Sequence, residues 1–443
     1  MSASPNTTGV TEPTAEQRTA GRRALRAAVA GFFVDMYDVY LPVIVLAPAI
    51  AYFSSTSMST VAQATLTYAI FAASLIGRPL GALIFGPMGD RIGRRRTTII
   101  VAAGFTICTG LIAVLPGYAT IGALAPALLV LLRLLDGVFL GGEYTAANPL
   151  AMEYAPTARR GLYGSLLNIG YPTALAVITV VTMVTLRLFP AGAADSPYAM
   201  WGWRIPFVIG FVFSGLLFLY YVRAVPESRL WASQGGTSRP LRTLFAGSNL
   251  RHLARAAVVG TGAWLTLNAV VGVFSSHFTG LGASAGAVNW AILTGAVCSI
   301  AAFPCVGMLG QRFGRRRLFV VLGGVNVVAG PAVLALAIAY GPGSPALLVL
   351  LGAAAFLCTT PVWAVITAFL TELFPTSVRA SGYGIAYSLP SIVPAFYSWY
   401  MLGLGTVVPY EYTPVVLLAI GGLFLIGGAL LTADRRHVDL SEA

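Results

Sequence analysis

Gly86-Pro87-Met88-Gly89-Asp90-Arg91-Ile92-Gly93-Arg94-Arg95-Arg96 joins two long apolar runs. Its last eight residues recur as Gly310-Gln311-Arg312-Phe313-Gly314-Arg315-Arg316-Arg317, 221 residues further on. A second pair has nearly the same offset. Glu153-Tyr154-Ala155-Pro156-Thr157 with Arg160 returns as Glu372-Leu373-Phe374-Pro375-Thr376 with Arg379, 219 residues later. Two matches at almost one spacing define an internal repeat. Each copy follows an apolar run of the same rank in its half, so the halves share one orientation. That is a parallel repeat about an axis along a membrane normal.

The composition demands a membrane. Of 443 residues, 57% are hydrophobic and 9% charged, against roughly a quarter charged in soluble domains. Mean hydropathy is +0.81. These values exclude a disordered chain, a disulfide-stapled secreted domain and an ordinary soluble enzyme. A helical span needs about 20 mostly apolar residues. Twelve such stretches lie near 28–52, 61–86, 97–116, 123–150, 161–186, 202–222, 254–278, 285–306, 318–340, 345–370, 380–402 and 411–432. The expected fold is all-α and integral to the membrane, with twelve transmembrane helices in two parallel-related six-helix halves. The expected divisions are a cytoplasmic tail (1–27), an N-terminal half (28–222), a cytoplasmic linker (223–253), a C-terminal half (254–432) and a short tail (433–443).

All 27 basic residues are arginine, which excludes lysine Schiff-base and Walker-type chemistry. With the connections numbered alternately, 23 of the 27 arginines fall on one side. That side, with both termini, is expected to be cytoplasmic. The charge of +12 is therefore topological, and no nucleic-acid partner is expected. Cys108, Cys298, Cys305 and Cys358 lie in apolar runs without a CxxC pair, so neither a metal site nor a disulfide framework is indicated. The arginine-bearing N-terminus lacks the pattern of a cleavable signal.

The loop Gly86–Arg95 resembles the signature of the major facilitator superfamily. In that family the loop is a gate latch between halves, which assigns the role to Gly89, Asp90, Arg91, Gly93 and Arg94. An aspartate suits a helix N-terminus, where the dipole favours negative charge. Within the superfamily, three segments resemble the metabolite:proton symporters. They are Gly77-Arg78-Pro79-Leu80-Gly81-Ala82, then Arg133-Leu134-Leu135-Asp136-Gly137 with Gly141-Gly142-Glu143, then Glu153–Thr157 with Arg160-Gly161. The chain departs from the family at Asp136, where Gln is usual, and at Asp35, where many members have Glu. Gln311 replaces the acid of the second loop, which argues against a symmetric second latch. Sugar porters share Pro226-Glu227-Ser228 after span six, but their span-seven and C-terminal signatures are absent.

Charge inside a bilayer is costly and faces the bundle interior or water. Asp35 and Asp38, three apart in span one, share a helical face. Arg133, Asp136 and Glu143 form a stripe in span four, and Arg78 stands in span two. The family resemblance makes Asp38 the proton-coupling acid and Arg133 its partner, with Asp35, Asp136 and Glu143 as further candidates. Each has the alternative of a structural salt bridge, and Arg78 is expected to fix helix packing. Four acids against two arginines cannot all ionise cheaply, which favours proton coupling over uniport. Tyr37, Tyr40, Asn148, Asn168, Tyr171, Asn268, Trp363 and Tyr387 are candidate cavity residues, with aromatic packing the alternative for the last two.

The expected function is proton-coupled uptake of a small polar metabolite by alternating access, with a monocarboxylate or zwitterion favoured. The expected partners are that small-molecule substrate, the proton and the lipid bilayer. The chain is expected to be monomeric, to need no cofactor beyond the proton and to sit in a bacterial inner membrane. A sugar porter or an efflux antiporter of the same fold is the alternative. A membrane-embedded enzyme would need a nucleophile–base pair or metal ligands at midplane, and His252, His277 and His437 are scattered.

Overall fold

The structure is a computed structural model that describes residues 15–58, 60–225 and 240–440. The Pro226–Ser228 segment lies outside the described residues. Among the described residues, twelve long helical segments cross from one end of the bundle to the other. In the N-terminal half they are α1 (Gly21–Leu46), α2 (Thr65–Ile92), α3 (Arg94–Ala113), α4 (Leu124–Glu153), α5 (Thr157–Leu188) and α6 (Tyr198–Ala224). In the C-terminal half they are α7 (Gly247–Gly272), α8 (Ala285–Phe313), α9 (Arg315–Tyr340), α10 (Pro345–Leu373) and α12 (Tyr410–Leu430). The remaining one, α11, is built from Arg379–Ser388, Leu389–Ser391, Ile392–Ala395 and Tyr397–Leu404. Eleven of the twelve are long and apolar enough to cross a membrane by length and composition. α11 escapes that test because its serines, tyrosines and prolines interrupt the apolar run.

Hydropathy places the helix ends too far inward. The helix that becomes α1 already begins at Ala15, inside the stretch expected as a tail. α7 begins at Gly247, and Pro240–Leu244 is also helical, inside the expected linker. Ala, Arg, Gln and Leu are strong helix formers. The backbone ladder therefore runs on into polar turns that hydropathy reads as loop.

Small residues bring the helices together. Lipid tails provide no hydrophobic drive between spans, so packing relies on close backbone approach. Gly77 and Gly81 of α2 face Gly137 and Gly141 of α4. A Cβ at any of the four would overlap a backbone carbonyl of the facing helix. The halves meet along α2 with α11 and α4 with α11, and along α5 with α8 and α10. Several spans are locally irregular. α7 widens at Asn268–Gly272, where Val273 N–H bonds to the Asn268 carbonyl at 3.1 Å. α10 is interrupted at Thr360–Val362 and α11 at Leu389–Ser391. Such breaks in spans often mark functional positions. Many large apolar side chains, such as Ile84, Leu216, Leu350 and Leu423, point outward from the bundle.

Candidate transport site

Six charged side chains meet inside the N-terminal half. On α1, Asp38 accepts from Arg133 Nη1 at 2.5 Å and also from the Thr109 hydroxyl of α3. The same Arg133 nitrogen lies 3.0 Å from Asp136 Oδ2, one turn along α4. One guanidinium nitrogen therefore serves two carboxylates. Arg133 Nη2 donates to the Asp38 carbonyl at 3.1 Å. Asp35 pairs instead with Arg78 of α2, at 2.6 Å. Asp35, Arg78, Arg133, Asp136 and Glu143 are fully buried, and Asp38 nearly so. Arg78 also stacks over the Tyr144 ring at 5.5 Å, while its Nε and Nη1 have no acceptor. Through the pair with Asp35, Arg78 ties α2 to α1.

At the arginine-rich end the halves are closed. Gly93 takes φ +102°, a conformation open to glycine, and turns the chain sharply from α2 into α3. Asp90 crosses to the other half. Its carboxylate accepts from Ala380 N–H (3.3 Å), Ser381 N–H (3.0 Å) and the Ser381 hydroxyl (2.5 Å), at the N-terminus of α11. The helix end that favours its charge belongs to the opposite half. Glu153 accepts from Arg94 and, at 2.8 Å, from Arg379 of the C-terminal half. Gly89 packs near Ala380, while Arg91 is exposed and takes no part.

The second loop also crosses between the halves, through the amide that replaces its acid. Gly314 repeats φ +102°. Gln311 accepts from Gly161 N–H at 3.0 Å and donates to the Thr157 carbonyl at 3.1 Å, both in the N-terminal half. Arg315 pairs with Glu372 at 2.9 Å. An amide both accepts and donates, so it performs the crossing without a charge. The C-terminal stretch lies over the same face. Arg160 of α5 donates to the Val438 carbonyl, and Arg379 and Thr376 donate to the Leu440 carbonyl at 3.0 and 2.9 Å.

The opposite end holds a cavity of about 560 Å³. Its wall comes from the distal ends of α1, α2, α5, α7, α8 and α11. Gln63, Thr67, Tyr68, Thr182, Asn268, Ser276, Asn289, Tyr397 and Ser398 provide polar groups, and among the described residues no charged side chain lines it. Tyr68 and Ser276 hydroxyls lie 3.2 Å apart across the two halves at this end.

Of the eight expected cavity residues, only Asn268 lines this cavity. Tyr37 turns into the N-terminal half, where its hydroxyl donates to the Pro206 carbonyl at 3.2 Å and its ring meets Phe213. Tyr40 and Tyr171 pack together at 5.9 Å, with Phe303 behind Tyr171. Asn148 donates to Tyr383 (2.9 Å) and Asn168 to Thr367 (2.8 Å), forming a polar bridge between halves. Trp363 and Tyr387 join Trp264 and Tyr144 in an aromatic cluster with centroid separations of 4.4 to 5.9 Å. Tyr144 and Ser388 hydroxyls hydrogen-bond across the halves, and Ser391 donates to the Leu75 carbonyl at 3.2 Å. These seven residues lie buried between or within the closed halves.

The comparison with known proteins falls on this geometry. The chain is 31% identical to the inner membrane metabolite transport protein YhjE of Escherichia coli, covering 94% of this chain and 95% of that one. The chain belongs to the major facilitator superfamily. Within it, the chain belongs with the metabolite transporters, and it is a transporter rather than an enzyme. The family model described as sugar (and other) transporter matches residues 24–239. The shikimate transporter of E. coli is 31% identical over 84% of this chain and 85% of its own length. The ectoine/proline transporter ProP of Corynebacterium glutamicum is 30% identical over 83% and 75%. Among solved structures, the proton:xylose symporter XylE bound to 6-bromo-6-deoxy-D-glucose superposes with a TM-score of 0.75 at 19% identity, covering 94% of this chain and 95% of that one.

Within this facilitator fold, sequence reasoning missed most of the open cavity. Gln63, Thr67, Tyr68, Thr182, Ser276 and Ser398 are common polar residues near span ends, with no charge or motif to mark them. Their shared feature is position: each stands toward the end of its span opposite the arginines. Tyr144, Trp264 and Ser388 at the closed waist carry no stronger signal.

Proposed function

We propose that the protein imports a small zwitterion or monocarboxylate together with a proton across a bacterial inner membrane, with its arginine-rich face in the cytoplasm. The observation that carries this reading is the sharing of one Arg133 nitrogen by Asp38 and Asp136. Two buried carboxylates beside one guanidinium favour a proton on one of them. A proton that arrives or leaves there changes the balance holding α1, α3 and α4 together. The uncharged cavity wall supports a substrate with little net charge. Arg78 has two nitrogens without an acceptor, which suits a single carboxylate. The Trp264–Trp363–Tyr387–Tyr144 cluster suits an ammonium group held against ring faces. The relatives handle compounds of this size, shikimate, ectoine and proline among those named. A sugar is the second reading, supported by the match to the sugar (and other) transporter family.

The test uses purified protein in liposomes loaded with a pH-sensitive dye. Proline, ectoine, shikimate, 2-oxoglutarate and xylose are added in turn, to wild type and to Asp38→Asn. Acidification of the lumen that depends on one compound and vanishes in the variant supports proton symport and names the substrate class. Substrate entry without proton movement makes the protein a facilitator and defeats the reading.

A further inference from the structure

Glu143 stands apart from the other buried acids. Among the described residues it has no ion-pair partner, while Asp35, Asp38 and Asp136 all have one. Its Oε1 accepts from the Tyr221 hydroxyl of α6 at 2.8 Å, and its Oε2 has no hydrogen-bond partner. The Tyr221 oxygen also lies 3.3 Å from the Ala27 carbonyl of α1. Gly31 of α1 opens the slot, because a Cβ there would overlap both Glu143 Oε1 and the Tyr221 hydroxyl. Asp35 and Arg78 are the charged groups whose fields act on the carboxyl.

Position gives this arrangement a direction. Gly31 stands one helical turn from Asp35, about 6 Å along the axis, toward the arginine-rich end. Tyr221 is three residues from the end of α6. The carboxyl therefore sits between the midplane ion pairs and that end, inside the N-terminal half, where it meets α1 and α6. An unpaired carboxyl in a bundle interior is expensive, and such groups mark ion or proton pathways.

We infer that Glu143, with Tyr221 beside it, is a proton-release station between the midplane acids and the cytoplasm, a route separate from that of the substrate. This rests on the proton-symport reading above. The proton leaves a midplane carboxyl, which returns to the carboxylate paired with its arginine. Neutral Glu143 gives its own proton to water at the arginine-rich end, and the midplane proton then adds to the vacated Oε2, which restores the neutral carboxyl. No electrons move.

The experiment compares wild type, Glu143→Gln and Tyr221→Phe in dye-loaded liposomes. The probe is labelled proline, shikimate or 2-oxoglutarate, whichever wild type imports with acidification. In Glu143→Gln, net uptake and acidification are expected to fall by about a hundredfold, the low end for loss of a positioned proton-transfer group. Exchange of labelled for unlabelled compound across the membrane needs no net proton release and is expected to continue at the wild-type rate. Tyr221→Phe keeps the carboxyl and is expected to slow acidification while preserving exchange. Acidification at the wild-type rate in Glu143→Gln overturns the station. Loss of exchange along with uptake in a monodisperse variant also overturns it, because Glu143 then serves the conformational change itself. If Glu143→Gln does not fold, wild-type acidification by Tyr221→Phe overturns it. Uptake by wild type without proton movement removes the symport reading, and the station with it.

Discussion

At the scale of single residues, Asp35 and Asp38 show how spacing and partner choice separate. Three residues along a helix leave two side chains on one face but about 60° and 4.5 Å apart. That offset lets Asp35 reach Arg78 on α2 while Asp38 reaches Arg133 on α4. Removing Arg133 leaves Asp38 and Asp136 without their cation. Arg133→Ala is expected to abolish uptake and to cost about 3–5 kcal/mol, the range for breaking a buried ion pair from one side. Uptake into liposomes and thermal unfolding in detergent check the two effects, and normal uptake would refute the assignment of Arg133. The presence of these charges was legible because an acid or arginine in an apolar span is conspicuous. The family resemblance implied the pairing of Asp38 with Arg133; that Asp35 meets Arg78 and that Asp136 shares Arg133 was not legible, since it depends on the rotation of each helix against its neighbours.

At the scale of elements, the α2–α4 pair rests on Gly77, Gly81, Gly137 and Gly141. Their contacts are to backbone, which cannot move aside as a flexible side chain can. Gly81→Leu is expected to cost upward of about 3 kcal/mol, the top of the usual range for overpacking. The yield of monodisperse protein on size-exclusion chromatography should fall, whereas Gly215→Leu, with open space around it, should behave as wild type. Because Arg78 and Arg133 sit in these same two helices, separating them would also displace both ion pairs. The irregular turns of α7, α10 and α11 fall at Asn268–Gly272, Thr360–Val362 and Leu389–Ser391. Each adjoins residues of the cavity or the closed waist. Pro361 and Pro390 stand inside the last two of these breaks, where the ring removes a donor from the ladder, whereas the widened turn of α7 has no proline to mark it.

At the scale of the whole molecule, one end is closed and the other holds the cavity. Glu153 receives arginines from both halves. Glu153→Gln should weaken two charge-assisted contacts, each worth about 1.5–3 kcal/mol, and shift the population toward opening at the arginine-rich face. A cysteine placed at Thr145, against Gly384 in the closed state, should then label at least about tenfold faster with a water-soluble thiol reagent, in a background without the native cysteines. Deleting residues 434–443 removes the carbonyls that Arg160, Thr376 and Arg379 engage. The same labelling should rise, by less than in Glu153→Gln, because hydrogen bonds to neutral carbonyls are weaker than those to a carboxylate. Unchanged labelling in the deletion would show that the tail rests on the gate without holding it.

The membrane class, the two repeated halves and the latch loop could be read from the chain alone. Each depends on a property that is local or periodic: apolar run length, an offset between motifs, a glycine and arginine cluster. The buried acids of α1 and α4 were legible for the same reason. The tertiary structure decided the partners. It sent Asp90 to the N-terminus of α11 rather than to its own helix, let Gln311 take over the second crossing, and placed Tyr37 inside one half instead of at the cavity. It also chose which end holds the open cavity. Those outcomes depend on the rotation and separation of helices more than a hundred residues apart in sequence. They are set by small-residue contacts and paired charges whose partners exist only once the two halves have packed together.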